Sequence, residues 1–210
     1  MSFVTVSQYV THEIVIEKSR FIAHVFPVPD EEMAKDHIHT ISKKHWDATH
    51  NCYAYRIGET GHIQKANDDG EPSGTAGVPI LEVIKKNGLT DTLIIVTRYF
   101  GGVKLGAGGL VRAYTRSASE GLQQAQLLRQ EEHLFVEINS DYATWSRIEQ
   151  QLNALGLIHD RTYTDTVTVL FSLPKTEEKK LTQFLDKWGN TPIQCKPVKT
   201  EWVPAPLSDK

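Results

Sequence analysis

Three stretches of this 210-residue chain carry residue types at spacings that can do chemistry. In the first, residues 96–114, Gly101, Gly102, Gly106, Gly108 and Gly109 lie between an apolar run and a helical pattern, with Arg98, Lys104, Arg112 and Arg116 around them. Glycine has no side chain and costs backbone entropy, so this density points to positive φ angles or to a backbone that something approaches closely. No acidic residue occurs between Asp91 and Glu120. A strand, a glycine turn and a helix N-terminus with local positive charge can hold an anion, because unpaired amides and cations converge there. Tight strand–helix packing is the alternative. The stretch is not a P-loop, since the Gly-Lys-Ser/Thr ending is absent. It is not a dinucleotide fingerprint either: Gly106-Ala107-Gly108-Gly109 lacks the last spaced glycine, and no acidic residue follows a second strand.

The second stretch runs from Asp68 to Gly77 and places Asp68, Asp69 and Glu71 near Ser73. Such carboxylates could hold a hard cation or serve as acid and base. The serine does not sit centrally between glycines as a nucleophile elbow requires. An ordered turn whose carboxylates cap backbone amides is the other reading. The third stretch is Lys18-Ser19-Arg20, whose two cations are anion contacts if they fold against residues 98–112 and surface charges if they do not. His50 and Cys52 alternate on a strand pattern and His62 lies near in sequence, but a fourth zinc ligand is missing. No metal and no cofactor are expected.

These residues need elements to position them. Residues 9–17 and 20–28 alternate as two strands with Lys18 to Arg20 at or near their turn, and Pro27 and Pro29 end the second. Asp30 caps a helix to about Lys44. Cys52 to Ile57 reads as a strand and residues 66–76 as a polar loop. A helix follows from about Gly77 to Lys86, with Pro79 in its first turn and Gly88 as a left-handed stop. Leu93-Ile94-Ile95-Val96 has the continuous apolar character of a central strand. The helix after the glycines is expected over roughly 109–128, its small residues inward, with Arg112 and Arg116 on another face.

The pattern restarts near Arg129-Gln130. Leu134, Val136 and Ile138 alternate as a strand. Trp145, Ile148, Leu152 and Leu155 mark a helix closed by Gly156. Two strands meet at a turn near Thr164-Asp165. Thr176 caps a helix carrying Leu181, Phe184, Leu185 and Trp188, and residues 192–203 form a last strand. This β-α-β-β-α-β order is ferredoxin-like. The tail after Pro204 reads as frayed. The expected organisation is two domains, 1–130 and 131–205.

Net charge is −3 and pI about 6.3, which argues against indiscriminate nucleic-acid binding. Residues 1–130 balance 14 basic against 14 acidic groups, whereas 131–210 carry 9 and 12, so any positive surface is local to the first half. Two distant cysteines make no disulfide framework. With no signal-peptide pattern and no run of membrane-spanning length, a cytoplasmic protein without membrane contact is expected.

Several of these stretches together resemble the Impact/YigZ family, over essentially the whole chain. Lys18-Ser19-Arg20-Phe21-Ile22-Ala23, His50-Asn51-Cys52-Tyr53-Ala54-Tyr55-Arg56, Asp68 through Pro79, and Val96 through Gly106 with Gly108 through Tyr114 occur in the family's order. The resemblance implies an α+β fold. Its N-terminal Impact domain would share the fold of elongation factor G domain IV and of GHMP kinases. Its small ferredoxin-like C-terminal domain would be similar to domain V of that factor. Eukaryotic members regulate translation by competing for the activator of a kinase of an initiation factor. They use an additional RWD module that these residues do not contain, so that role is not carried over.

The leading expectation is a non-enzymatic, translation-associated regulatory protein that binds RNA or the ribosome, with translation factors as further partners and a monomer as the simplest state. Lys18, Arg20, Arg98, Lys104, Arg112 and Arg116 would meet phosphates, and the amides of Gly106, Gly108 and Gly109 would allow close approach. A second class is an enzyme acting on a phosphorylated or nucleotide-like small molecule through Asp68, Asp69 and Glu71. A third is a protein-interaction adaptor using the C-terminal sheet.

Overall fold

The computed structural model describes residues 2–189, 191–205 and 207. The chain divides into two compact units, one essentially residues 3–129 and the other essentially 130–205.

In the first unit, β1 (Ser2–Val6) precedes the hairpin of β2 (Val10–Ile16) and β3 (Ser19–Pro27). Ile16 faces Ser19 across the hairpin, so Glu17 and Lys18 form a two-residue turn, with φ of 46° and 64°. That is the type I′ conformation whose twist suits a hairpin, adopted here without glycine. Helix α1 (Glu31–Lys44) is capped by Asp30, which accepts from the Met33 amide. Then come β4 (His50–Ile57), β5 (Ile63–Asn67), α2 (Gly77–Lys86), β6 (Thr92–Tyr99) and α3 (Gly106–Gln123).

The five strands β2-β3-β6-β4-β5 form one antiparallel sheet. Alternation decides which side chains go to which face. Phe21, Ala23, Val25, Cys52, Ala54, Ile94 and Val96 pack on one face with Ile80, Val83 and Ile84 of α2 and Ala113, Tyr114 and Ala118 of α3. Phe26, Tyr55, Ile57, Leu93 and Ile95 pack on the other with Ala34 and Ile41 of α1. Covered on both faces, β6 has the unbroken apolar run expected of a central strand.

In the second unit the order is β7 (Leu127–Ser140), α4 (Tyr142–Leu155), β8 (Leu157–Tyr163), β9 (Val167–Pro174), a single 3₁₀ turn (Lys175–Glu177), α5 (Glu178–Lys187) and β10 (Gln194–Ala205). β9 lies antiparallel between β7 and β8, and β10 pairs with β7. Val136, Ile138, Val169 and Phe171 form the core with Trp145, Ile148 and Leu152 of α4 and Leu181 and Phe184 of α5. The chain is therefore a mixed α and β protein with two mainly antiparallel sheets.

Several details differ from the sequence reading, among them β7, which starts at Leu127 and runs through the expected restart at 129–130. β1 and β5 are additional strands. β5 reads Ile-Gln-Lys-Ala-Asn, whose largely exposed edge position does not require apolar alternation. Helix α3 starts at Gly106, three residues before the expected 109, because a first turn of Gly-Ala-Gly-Gly has no apolar periodicity. It also stops at Gln123 rather than 128. Thr176 is not an N-cap: a 3₁₀ turn intervenes and Glu177 holds the cap position without a side-chain bond. Most of the tail expected to fray, Pro206 and residues 208–210, lies outside the described residues.

Candidate functional site

The loop after β5, the end of β6 and the start of α3 converge within the first unit, and the acidic loop is held there by its own carboxylates. Asp68 accepts from the amides of Gly74, Ala76 and Gly77, at 2.9, 3.0 and 2.8 Å. It thereby caps α2, whose N-cap Ala76 has no side chain able to do so. Burial alone would raise the Asp68 pKa, but the three amides outweigh it and hold the carboxyl below its ordinary value. Asp69 accepts from the Asn51 amide at 2.6 Å, and its carbonyl oxygen lies 2.7 Å from His50 Nδ1. A carbonyl only accepts, so Nδ1 carries the imidazole proton and Nε2 is an acceptor in the neutral ring.

Glu71 goes inward. Its Oε1 accepts from Arg98 Nη1 at 2.5 Å and from Tyr114 Oη at 2.8 Å, while Oε2 lies 3.8 Å from His50 Nε2. The side chains of Arg98 and Glu71 are only 6% and 3% exposed, so this is a buried ion pair. The Arg98 guanidinium also lies over the rings of Phe21 and Phe100, at 5.4 and 5.6 Å from their centroids. Its buried Nε has no hydrogen-bond partner among the described residues.

Beneath the pair, Cys52 Sγ lies 3.3 Å from Tyr114 Oη and 2.9 Å from the Asp68 carbonyl oxygen. Burial, foremost, pushes the Cys52 thiol up to about 12 and the Tyr114 phenol well above its ordinary value. Both are therefore neutral donors that fix Glu71 and the loop. The thiol lacks the thiolate character that a nucleophile needs.

The glycine turn is shaped by a close approach. A Cβ on Gly101 would lie 2.0 Å from the Lys18 carbonyl carbon, and the Gly101 amide donates to Ser19 Oγ at 3.1 Å. Gly102 follows at φ 85°, in the left-handed region. The hairpin turn at residues 17–18 is thus locked against the end of β6. Helix α3 then begins with no side-chain cap and no acidic residue in its first turn. Gly106, Ala107 and Gly108 are exposed there.

Two concavities flank this helix start. One, about 310 Å³, has Thr49, His50, Glu71, Arg98, Phe100 and Lys104 in its wall beside Gly106 and Ala107. The other, about 540 Å³, has Lys104, Gly109, Arg112 and Arg116 together with Glu17. Lys104 belongs to both.

The candidate residues read from the sequence therefore divide into two groups. Lys104, Gly106, Gly109, Arg112 and Arg116 gather at these concavities, with Gly108 exposed on the same first turn. Arg20 makes a two-pronged contact with Glu13, at 3.0 Å for each bond, and Arg116 pairs with Glu120 at 2.6 Å. Lys18 is exposed on the hairpin turn. Arg98 is turned inward to Glu71. Asp68 and Asp69 bond to backbone amides. Among the described residues no group of three or more His, Cys, Asp or Glu side chains is placed to hold a metal ion.

Sequence reasoning gave Phe100 and Thr49 no role. The usable signal was register: His50 lies opposite Arg98 across β4 and β6, which brings the ends of both strands, and the residues just beyond them, to one place.

The Impact N-terminal domain family matches residues 17–122, the segment that carries all of this geometry. IMPACT family member YvyE of Bacillus subtilis is 50% identical over 190 residues, covering 90% of this chain and 88% of that protein. IMPACT family member YigZ of Escherichia coli is 31% identical, with 85% and 89% covered. Protein IMPACT of Oryctolagus cuniculus is 36% identical over only 98 residues, 30% of its length. A solved structure, described as the crystal structure of a hypothetical protein, superposes with a TM-score of 0.62 at 28% identity, covering 94% of this chain and 98% of that one. On identity and coverage together, the chain belongs to the IMPACT family.

Proposed function

We propose that this protein is a translation-associated regulator that binds the phosphate backbone of RNA, free or within the ribosome, through the start of α3. The observation that carries the reading is the uncapped, acid-free first turn of α3, with exposed Gly106, Ala107 and Gly108 between two concavities that share Lys104. Amides at a helix start and a nearby ammonium favour an anion, and phosphate is the anion that RNA repeats. Arg112 and Lys18 extend the positive surface without a carboxylate close enough to form an ion pair with either among the described residues.

The second reading, an enzyme using the acidic loop, has less support. Asp68, Asp69 and Glu71 each have at least one carboxylate oxygen bonded to a donor of the protein itself, as structural anchors of the loop would. The reading divides the chain into an Impact domain over 1–130 and a ferredoxin-like domain over 131–205. The β-α-β-β-α-β order of the second unit, with β9 between β7 and β8 and β10 on β7, supports the latter. Likeness to elongation factor G domains IV and V and a cytoplasmic location belong to the same proposal; no helix among the described residues is long and apolar enough to cross a membrane.

Sedimentation with purified ribosomal particles at low and moderate salt tests it. Co-sedimentation that fades as salt rises supports the reading. Absence from the pellet at low salt, together with no binding to free RNA, rejects it.

A further inference from the structure

The concavity bounded by Phe100, Arg98 and the first turn of α3 has features that a flat backbone-binding surface does not need. Its volume of about 310 Å³ lies at the small end of ligand pockets, roughly 300–1,000 Å³. That leaves room for one base and its phosphate and excludes a duplex. One wall carries Phe100, an aromatic ring 48% exposed. The opposite chemistry comes from the amides of Gly106 and Ala107 at the start of α3 and from the Lys104 ammonium.

A second feature lies in the same wall. Arg98 stands in the cavity wall with its side chain 94% buried, yet its Nε has no hydrogen-bond partner among the described residues. A buried donor without an acceptor is costly, and native structures rarely keep one without a reason. The Nε has almost no accessible surface, so an occupant reaches it only after this wall shifts, and the seat itself is made by Phe100, Lys104 and the first turn of α3.

We infer that this cavity seats a single unstacked nucleotide of single-stranded RNA, its base against Phe100 and its phosphate on the first turn of α3 and Lys104. The inference rests on the RNA-binding reading above and narrows it to single strands. Unstacked bases are what aromatic side chains can receive, whereas a duplex keeps its bases stacked and offers only backbone. Duplex RNA would still meet Lys104 and Arg112 at the surface, without filling the cavity.

Fluorescence anisotropy at low salt with a labelled oligouridylate and a blunt RNA duplex of equal length tests it. The wild type is expected to bind the single strand more tightly. In Phe100→Ala the ratio of single-strand to duplex affinity should fall about tenfold, the usual scale of one lost stacking contact. Phe100→Tyr should keep the ratio. Circular dichroism and the urea midpoint check that the variants fold. Equal wild-type affinity for both RNAs, or an unchanged ratio in a folded Phe100→Ala protein, overturns the single-nucleotide inference but leaves backbone binding standing. No binding to either RNA at low salt overturns both.

Discussion

Arg98 and Glu71 form an ion pair in the interior of the first unit, Nη1 to Oε1 at 2.5 Å, between side chains 6% and 3% exposed. The pair joins the end of β6 to the loop before α2, and Tyr114 joins both to α3 through the same oxygen. Removing one member of a buried pair strands the other, which costs about 3–5 kcal/mol. Glu71→Gln should therefore lower stability by that amount in urea unfolding. Tyr114→Phe, which removes one hydrogen bond to a charged group, should cost about 2 kcal/mol.

Asp68 gives the loop a pH dependence. Its folded pKa is depressed, so its contribution is present above the ordinary carboxylate range and is lost as pH falls through the depressed value. Asp68→Asn should destabilise the protein by about 2 kcal/mol at neutral pH, and the difference from wild type should shrink towards strong acid. A difference that does not change with pH would contradict the capping role.

Burial first, then the nearby charges of His45 and Lys44, lower the pKa of His24 from 6.5 to about 4. In the unfolded chain His24 takes a proton as pH falls below about 6.5, while in the fold it stays neutral until about 4. Stability contributed by the neutral ring is thus present above 6.5 and lost through that window. The loss amounts to about 3 kcal/mol. His24→Phe should flatten the stability profile between those values, and urea midpoints measured across the window check it.

Some of the fold could be read locally. Asp30 stands directly before a periodic apolar run and caps its helix by accepting from the amide three residues on, as Asp141, not singled out in the sequence, also does. Gly88, at φ 66°, ends α2 as its position suggested. The site was less legible because its chemistry is set by long-range pairing. Arg98 looked like a phosphate contact from its neighbours in sequence, yet its partner Glu71 lies 27 residues away and only the β4–β6–α3 packing brings them together. Likewise, Asp68 caps a helix that starts nine residues later, a reach set by the loop's path rather than by spacing.

Gly101 is the tightest point of the glycine turn. An added Cβ meets backbone of residue 18 rather than a movable side-chain tip. Gly101→Ala should therefore cost about 1–3 kcal/mol. Gly108→Ala meets only the Arg112 side chain, at 3.8 Å, and sits in a helix, so it should be neutral or stabilise by up to about 1 kcal/mol. If Gly108 is there for close backbone approach, that more stable variant should bind RNA more weakly.

The most direct test of the RNA-binding account is the salt dependence of oligonucleotide affinity, compared between wild type and Lys104→Glu/Arg112→Glu. For a single strand, log affinity should fall linearly with log salt, with a slope of about −0.7 per phosphate neutralised. The account predicts measurable binding at low salt and a slope shallower by one to two phosphate contacts in the double variant, with its fold intact. Binding whose slope and strength are unchanged by the two substitutions would contradict it.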